Sequence, residues 1–174
     1  MQAAIRDRPA VGVALLLLIL AAAGAAAALV LAERRVEAGV ATAVAAAAVT
    51  ITGRRAKYTR DRRLTFADSA AERTGDAVLL GAVAWTTIDE PAVSGAALSA
   101  LVLGYLATYI RAKATGLGFA VQESLIARGV RIGLVVLGLA WRSALGPALW
   151  AASAVSLFSV LRESVEVARQ REPA

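Results

Sequence analysis

Residues 9–32 run from Pro9 through a LLLLIL core to Ala32 without a single charge. As a helix, that stretch is roughly 36 Å long, more than the ~30 Å hydrocarbon core of a bilayer. Arg6 and Arg8 precede it, as in a secretory signal. A signal's apolar region, however, is only about 7–15 residues long, so a retained membrane helix is expected. Further apolar runs follow at 36–52, 64–88, 92–110, 129–141 and 146–161. A basic loop, 53–63, separates the second run from the third, and a polar, Gly-containing segment, 111–128, separates the fourth from the fifth. The latter reads as a loop or an interfacial helix.

Charge placement tests the count of six. With the N-terminus in the cytoplasm, the positive-inside rule asks for Lys and Arg before the first run and after every even one. Arg6, Arg8, the basic residues of 54–63, Arg111, Lys113, Arg128, Arg131, Arg162, Arg169 and Arg171 all fall there. Arg34, Arg35 and Arg142 fall on the other side, and Arg73 lies within a span. The expected fold is therefore all-α: one membrane domain over 1–174, an integral bundle of six transmembrane helices with both termini cytoplasmic. The abundant Ala and Gly suit it, because small residues let helices approach closely in lipid.

Composition removes whole classes of chemistry. The chain is 59% hydrophobic and 18% charged, which excludes intrinsic disorder. It has no Cys and no His, so thiolate catalysis, zinc–thiolate sites, Ser-His-Asp triads and imidazole proton shuttles are all excluded. The net charge of +6 fits nucleic acid, an anionic membrane surface or an anionic substrate. The apolar runs favour the membrane, and no nucleic-acid partner is expected. Tyr58 is the one aromatic residue in the basic segment, which membrane-surface contact explains.

Asp68, Glu72 and Asp76 are the sharpest feature. Their i, i+4, i+8 spacing puts all three on one helix face, each about 6 Å beyond the last. Two readings stand. The helix starts in the interface and Arg73 or the basic segment neutralises the acids, or the acids form a site, since ionisable groups at membrane depth are usually functional. A site of this kind would take a hard cation such as Mg²⁺, with carboxylate and water ligands, and would suit phosphate-ester chemistry. A basic set faces the same side. Arg111 and Lys113 end the fourth run, Arg128 and Arg131 open the fifth, and Arg162 closes the sixth. Topology alone gathers such residues, and a phosphate pocket at one membrane depth also would.

These residues resemble the CDP-alcohol phosphatidyltransferase family, six-helix membrane enzymes that join a CDP-linked lipid to an alcohol and release CMP. Their signature is D-x2-D-G-x2-A-R-x8-G-x3-D-x3-D. FADSAAERTGDAVLLGAVAW is similar to the family's third helix, with Asp68 on the third Asp, Glu72 on the fourth, and Asp76 continuing the repeat. Counting back, Arg55 falls on the motif Arg. The other positions depart: Ala47 and Thr50 stand where the first two Asp would be, Ile51 and Leu64 stand at the Gly positions, and Arg54 at the Ala. GYLATYIRAKATGLG resembles the S-Y-x3-Y-x-[KR]-A-[KR]-A-E-x-x-G stretch of phosphatidylinositol-phosphate synthase-like members. SLIARGVRIGLVVLGLAW resembles their E-R-x-E-R-L-x3-L-x-G segment, with Arg128 and Arg131 kept and both Glu lost. SLFSVLRESVEVAR resembles their last helix, with Arg162 on the basic position.

The resemblance implies the following. The chain transfers a phosphatidyl group from CDP-diacylglycerol in phospholipid biosynthesis. Asp68 and Asp76 hold Mg²⁺ or Mn²⁺, and Glu72 is the base. Arg55 contacts the nucleotide, while Arg111, Lys113, Arg128, Arg131 and Arg162 hold the phosphate of a phosphorylated acceptor. It also implies a homodimer in a prokaryotic inner membrane, with a site facing the cytoplasm and membrane lipid and a CDP-diacylglycerol-like nucleotide lipid as partners. Losing charge at Ala47 and Thr50 leaves too few ligands for two metals. Two alternatives therefore stay open: a catalytically silent relative that binds lipid or nucleotide or partners an active paralogue, and a plain structural membrane protein.

Overall fold

A computed structural model describes residues 9–59, 62–121 and 125–170, with side chains described for 16–51, 65–121 and 127–170. The described chain is all-helical, in six α-helices: α1 (Pro9–Leu31), α2 (Arg35–Thr59), α3 (Arg62–Thr86), α4 (Pro91–Gly116), α5 (Leu125–Ala140) and α6 (Leu145–Arg169). A short 3₁₀ turn, Arg142–Ala144, precedes α6. Among the described residues, two helical stretches are long and apolar enough to cross a membrane, Pro91–Gly116 and Arg142–Arg169, and Leu16–Leu31 is a shorter apolar stretch.

Local chemistry sets the helix ends. Pro9 and Pro91 sit in first turns, where the missing N–H costs nothing. α1 stops at Glu33, whose φ of 59° is left-handed, and the Arg34 N–H then bonds back to the Leu29 carbonyl at 2.8 Å. α4 stops at Gly118, with φ 88°, where the Phe119 N–H reaches the Ala114 carbonyl at 3.0 Å. The segment 53–63, expected as a loop, is partly helical, and the segment 111–128, expected as a loop or an interfacial helix, is helical at both ends. α2 runs on to Thr59 through the basic segment, and α4 runs on through Lys113 to Gly116. Lys, Arg and Ala are good helix formers, and cations at a helix C-terminus complement its dipole.

The chain divides into two compact units, residues 1–79 and 80–174. In the first, α1 packs on α2, and Ile19, Ala48, Val49 and Ala71 form a buried cluster with Leu16 against it. Gly75 of α3 comes so close to α1 that an added Cβ would lie 3.2 Å from the Ala23 Cβ.

In the second unit, α4 and α5 each pack on α6. α4 buries Ala96, Ala97, Ala100, Gly104, Ala107 and Ala114. α6 buries Ala148, Leu149, Ala152, Ser153, Ser156, Val160 and Glu163 at helical spacing. These two helices run parallel. The Ser153 hydroxyl reaches the Ala96 carbonyl near their starts at 3.3 Å, and Arg111 meets Glu163 near their ends. α5 returns against α6 through a tight corner, where a Cβ on Gly138 would lie 3.1 Å from the Ala148 Cβ and 3.2 Å from the Leu145 Cα. Hydroxyls along these helices bond to carbonyls of their own turn, as Ser156 to Ala152 at 3.0 Å and Thr108 to Gly104 at 3.1 Å. A polar group in hydrocarbon needs such an internal partner.

Candidate functional site

The three acids lie on α3 within the first unit. Asp68 is buried, at 7% exposure. Arg73 stands between the other two: its guanidinium is 3.0 Å from Glu72 Oε1 and 3.3 Å from Asp76 Oδ2. The Glu72 and Arg73 side chains are 11% and 14% exposed. A cation of the same helix, one residue past Glu72 and one turn short of Asp76, thus pairs with two of the three acids. Isolated carboxylates this far from water would be costly, and pairing offsets much of that cost.

The donor set bears on a metal. Among the described residues, no three acids are grouped closely enough to hold a metal ion by themselves. Ala47 and Thr50 are exposed on α2, and the Thr50 hydroxyl donates to the Ala46 carbonyl of its own helix at 2.8 Å. Asp68 and Asp76 lie two turns apart, about 12 Å along α3, too far for both carboxylates to reach one ion, and the pair of ions that four carboxylates would hold lacks its ligands. Arg55 belongs to α2, and its side chain lies outside the described residues.

The five predicted phosphate-binding cations all belong to the second unit, at the end formed by the last turns of α4 and α6 and the first turns of α5. Their settings differ. Arg111 is bound by Glu163 of α6, with Nη2 2.6 Å and Nε 3.2 Å from Oε1. The Glu163 side chain is 3% exposed and that of Arg111 21%. Arg131 reaches from α5 to α4, where its guanidinium lies against Gly104. Arg128 is half-buried, and Lys113 is exposed. Arg162 is exposed, 3.6 Å from Glu166 one turn on. The same end is tied by the Gln170 amide, which accepts from the Ala120 N–H at 2.9 Å and donates to its carbonyl at 2.8 Å.

Glu163 and Gly104 were missed in the sequence. Glu163 was detectable, because it continues the 149, 152/153, 156, 160 spacing of the buried face of α6, where a carboxylate demands a partner. Gly104 carried no comparable signal. At the opposite end of this unit, a cavity of about 670 Å³ is lined by Glu90, Val93, Trp141, Arg142, Ser143, Gly146 and Pro147.

Comparison with known proteins follows the same lines. No protein-family profile matches the chain. A phosphatidylinositol phosphate synthase of Corynebacterium glutamicum is 31% identical over 107 residues, 56% of this chain and 49% of that protein. The match thus spans about half the length of the curated relative. The crystal structure of the Mycobacterium tuberculosis phosphatidylinositol phosphate synthase with CDP-DAG bound superposes with a TM-score of 0.78 at 19% identity, covering 92% of this chain and 90% of that one. The same enzyme in complex with manganese and citrate gives a TM-score of 0.77 at 20% identity, covering 89% and 81%. The resemblance to CDP-alcohol phosphatidyltransferases is borne out in sequence and in fold.

Proposed function

As a relative of phosphatidylinositol phosphate synthases in sequence and fold, this chain is, we propose, a membrane transferase that moves a phosphatidyl group from CDP-diacylglycerol to an alcohol. The bond between the lipid phosphorus and the CMP oxygen breaks, and the acceptor oxygen bonds to that phosphorus. CMP leaves, and the hydroxyl proton goes to a carboxylate. The observation that carries this reading is Asp68, a buried carboxylate on α3, with Glu72 and Asp76 one and two turns further along its face.

The roles divide by chemistry. Glu72 takes the hydroxyl proton, and Arg73 beside it fixes the carboxylate's position. Asp68 would be a ligand for a divalent ion, Mg²⁺ or Mn²⁺, together with substrate phosphate oxygens whose charge the ion would neutralise; Asp76, two turns on, is too far to share that ion and would ligate only a separate one. Arg55 contacts the nucleotide. Arg111, Lys113, Arg128, Arg131 and Arg162 receive the phosphate of a phosphorylated acceptor, where the forked guanidinium suits a phosphate.

The chain sits in the membrane as a single six-span domain with cytoplasmic termini. The parallel course of α4 and α6 supports this, since two helices separated by one returning helix must cross the same way. From Pro91 to Arg111 is about 30 Å along α4, one hydrocarbon thickness. The Arg111–Glu163 pair then lies at the cytoplasmic boundary, with the site facing the cytoplasm.

CMP release tests the reading. Purified protein is supplied with CDP-diacylglycerol, Mg²⁺ or Mn²⁺, and a panel of alcohols including inositol phosphate and glycerol phosphate. Release that needs an acceptor and disappears in Asp68→Asn is the expected result. No release from folded protein across the panel refutes it.

A further inference from the structure

Gly104 lies inside α4, where glycine is a poor choice: in a helix interior it is less favourable than any residue but proline. Its backbone is ordinary helix, so left-handed freedom does not explain it. Close helix packing does not explain it either. A Cβ built on Gly104 would meet Arg131 Nη1 at 3.0 Å and Cζ at 3.7 Å, and among the described residues it meets nothing else within 4 Å beyond its own turn of backbone and its chain neighbours. Gly138 makes the contrast, since there the atoms in the way are the backbone and side chain of Leu145 and the Cβ of Ala148. What the missing side chain of Gly104 admits is a guanidinium.

We propose that Gly104 is a positioning residue for acceptor binding: it is the seat that lets the tip of the Arg131 side chain lie against α4 to receive the acceptor's phosphate. The inference rests on the phosphorylated-acceptor reading above and adds a residue to it. Gly104 is about 20 Å along α4 from Pro91, so the seated charge lies roughly 10 Å deeper in the bundle than the Arg111–Glu163 pair. With a side chain at 104 the Arg131 tip must move. Because that tip ends a flexible side chain, the fold absorbs the change while the guanidinium is displaced. Misplacement by about 1 Å costs up to 10²-fold in a positioned site.

A double-mutant cycle with two readouts tests this. Gly104→Ala, Arg131→Gln and the double variant are prepared in detergent. Affinity for glycerol phosphate and inositol phosphate is measured by calorimetry, beside kcat and KM for CMP release. The expected result for Gly104→Ala is a Kd and KM for phosphorylated acceptors raised about 10-fold, with kcat within about two-fold, no change with unphosphorylated inositol, and unchanged thermal unfolding. In the Arg131→Gln background the same substitution should add nothing. Wild-type protein that binds and turns over phosphorylated acceptors, with Gly104→Ala equal to it, overturns the inference alone. An equal loss in both backgrounds also overturns it, because Gly104 then acts through something other than Arg131. Wild-type protein that uses only unphosphorylated alcohols, or binds neither phosphate, overturns the acceptor reading and the inference together.

Discussion

The acidic face of α3 and the basic end of the second unit are built in opposite ways. Asp68, Glu72, Arg73 and Asp76 share one helix, so helical geometry fixes their spacing whatever surrounds them. The basic end draws on three helices. Arg111 and Glu163 are 52 residues apart, and Arg131 depends on a glycine in another helix. A site carried by one helix tolerates slack in packing, whereas one shared among helices is only as well placed as the contacts between them. Substitutions of the acids on α3 should therefore act on chemistry and leave stability alone. At the basic end, substitutions that break a contact between helices should disturb both.

The largest effect on this division is expected at Asp68. Asp68→Asn keeps the shape and removes the charge, and CMP release should fall at least about 100-fold. Thermal unfolding in detergent should barely move, because the amide still fills the same space. Activity within a few-fold of wild type would remove Asp68 from the chemistry. A collapsed melting temperature would instead make the acidic face structural and erase the contrast.

The sequence was legible where a local pattern carried the information. The apolar runs indicated the six helices, and the i, i+4, i+8 acids declared a charged face before any packing was known. Arg73 was readable as one of two candidate counter-charges. The extension of α2 and α4 into polar segments was not readable from apolar content, since it rests on helix propensity and charge at the helix ends. The basic residues could be gathered by topology but not ranked. Their ranking depends on partners distant in sequence: a buried Glu163 that occupies Arg111, and a missing side chain at Gly104 that admits Arg131.

Glu163 supplies the sharpest test at the basic end. Glu163→Ala takes a carboxylate away from a mostly buried guanidinium, and loss of one partner from such a pair should cost about 2–3 kcal/mol, below the fully buried range because Arg111 keeps some solvent. The loss is read as a lowered unfolding temperature, with a raised KM for phosphorylated acceptors. Replacing both partners, Glu163→Leu with Arg111→Met, should restore stability without restoring acceptor affinity. If the single variant melts like wild type, the pair does not hold α4 to α6.

Gly138→Ala follows, at about 1–3 kcal/mol. Its new methyl group would press on Leu145 and Ala148 at the α5–α6 corner, where the Leu145 backbone cannot swing aside. Gly104→Ala adds the same methyl group against a mobile side-chain tip. Melting curves should separate the two glycines, the first lowered and the second unchanged. Equal losses would mean that both serve packing.

The smallest effect is expected at the far end of the second unit, where Arg142 Nη2 stands 3.6 Å from Glu90 Oε1. That distance is too long for a hydrogen bond. Both side chains are exposed, so water screens the attraction and the entropy of fixing two long chains offsets most of the rest. Glu90→Gln should change stability by less than about 0.5 kcal/mol and leave CMP release as it is. The pair nonetheless borders the cavity lined by Trp141, Ser143 and Pro147. A change in acceptor KM or in CMP release on Glu90→Gln would therefore show that this cavity takes part in turnover. The working groups would then not be confined to the acidic face and the basic end, and the contrast between them would have to include a third region.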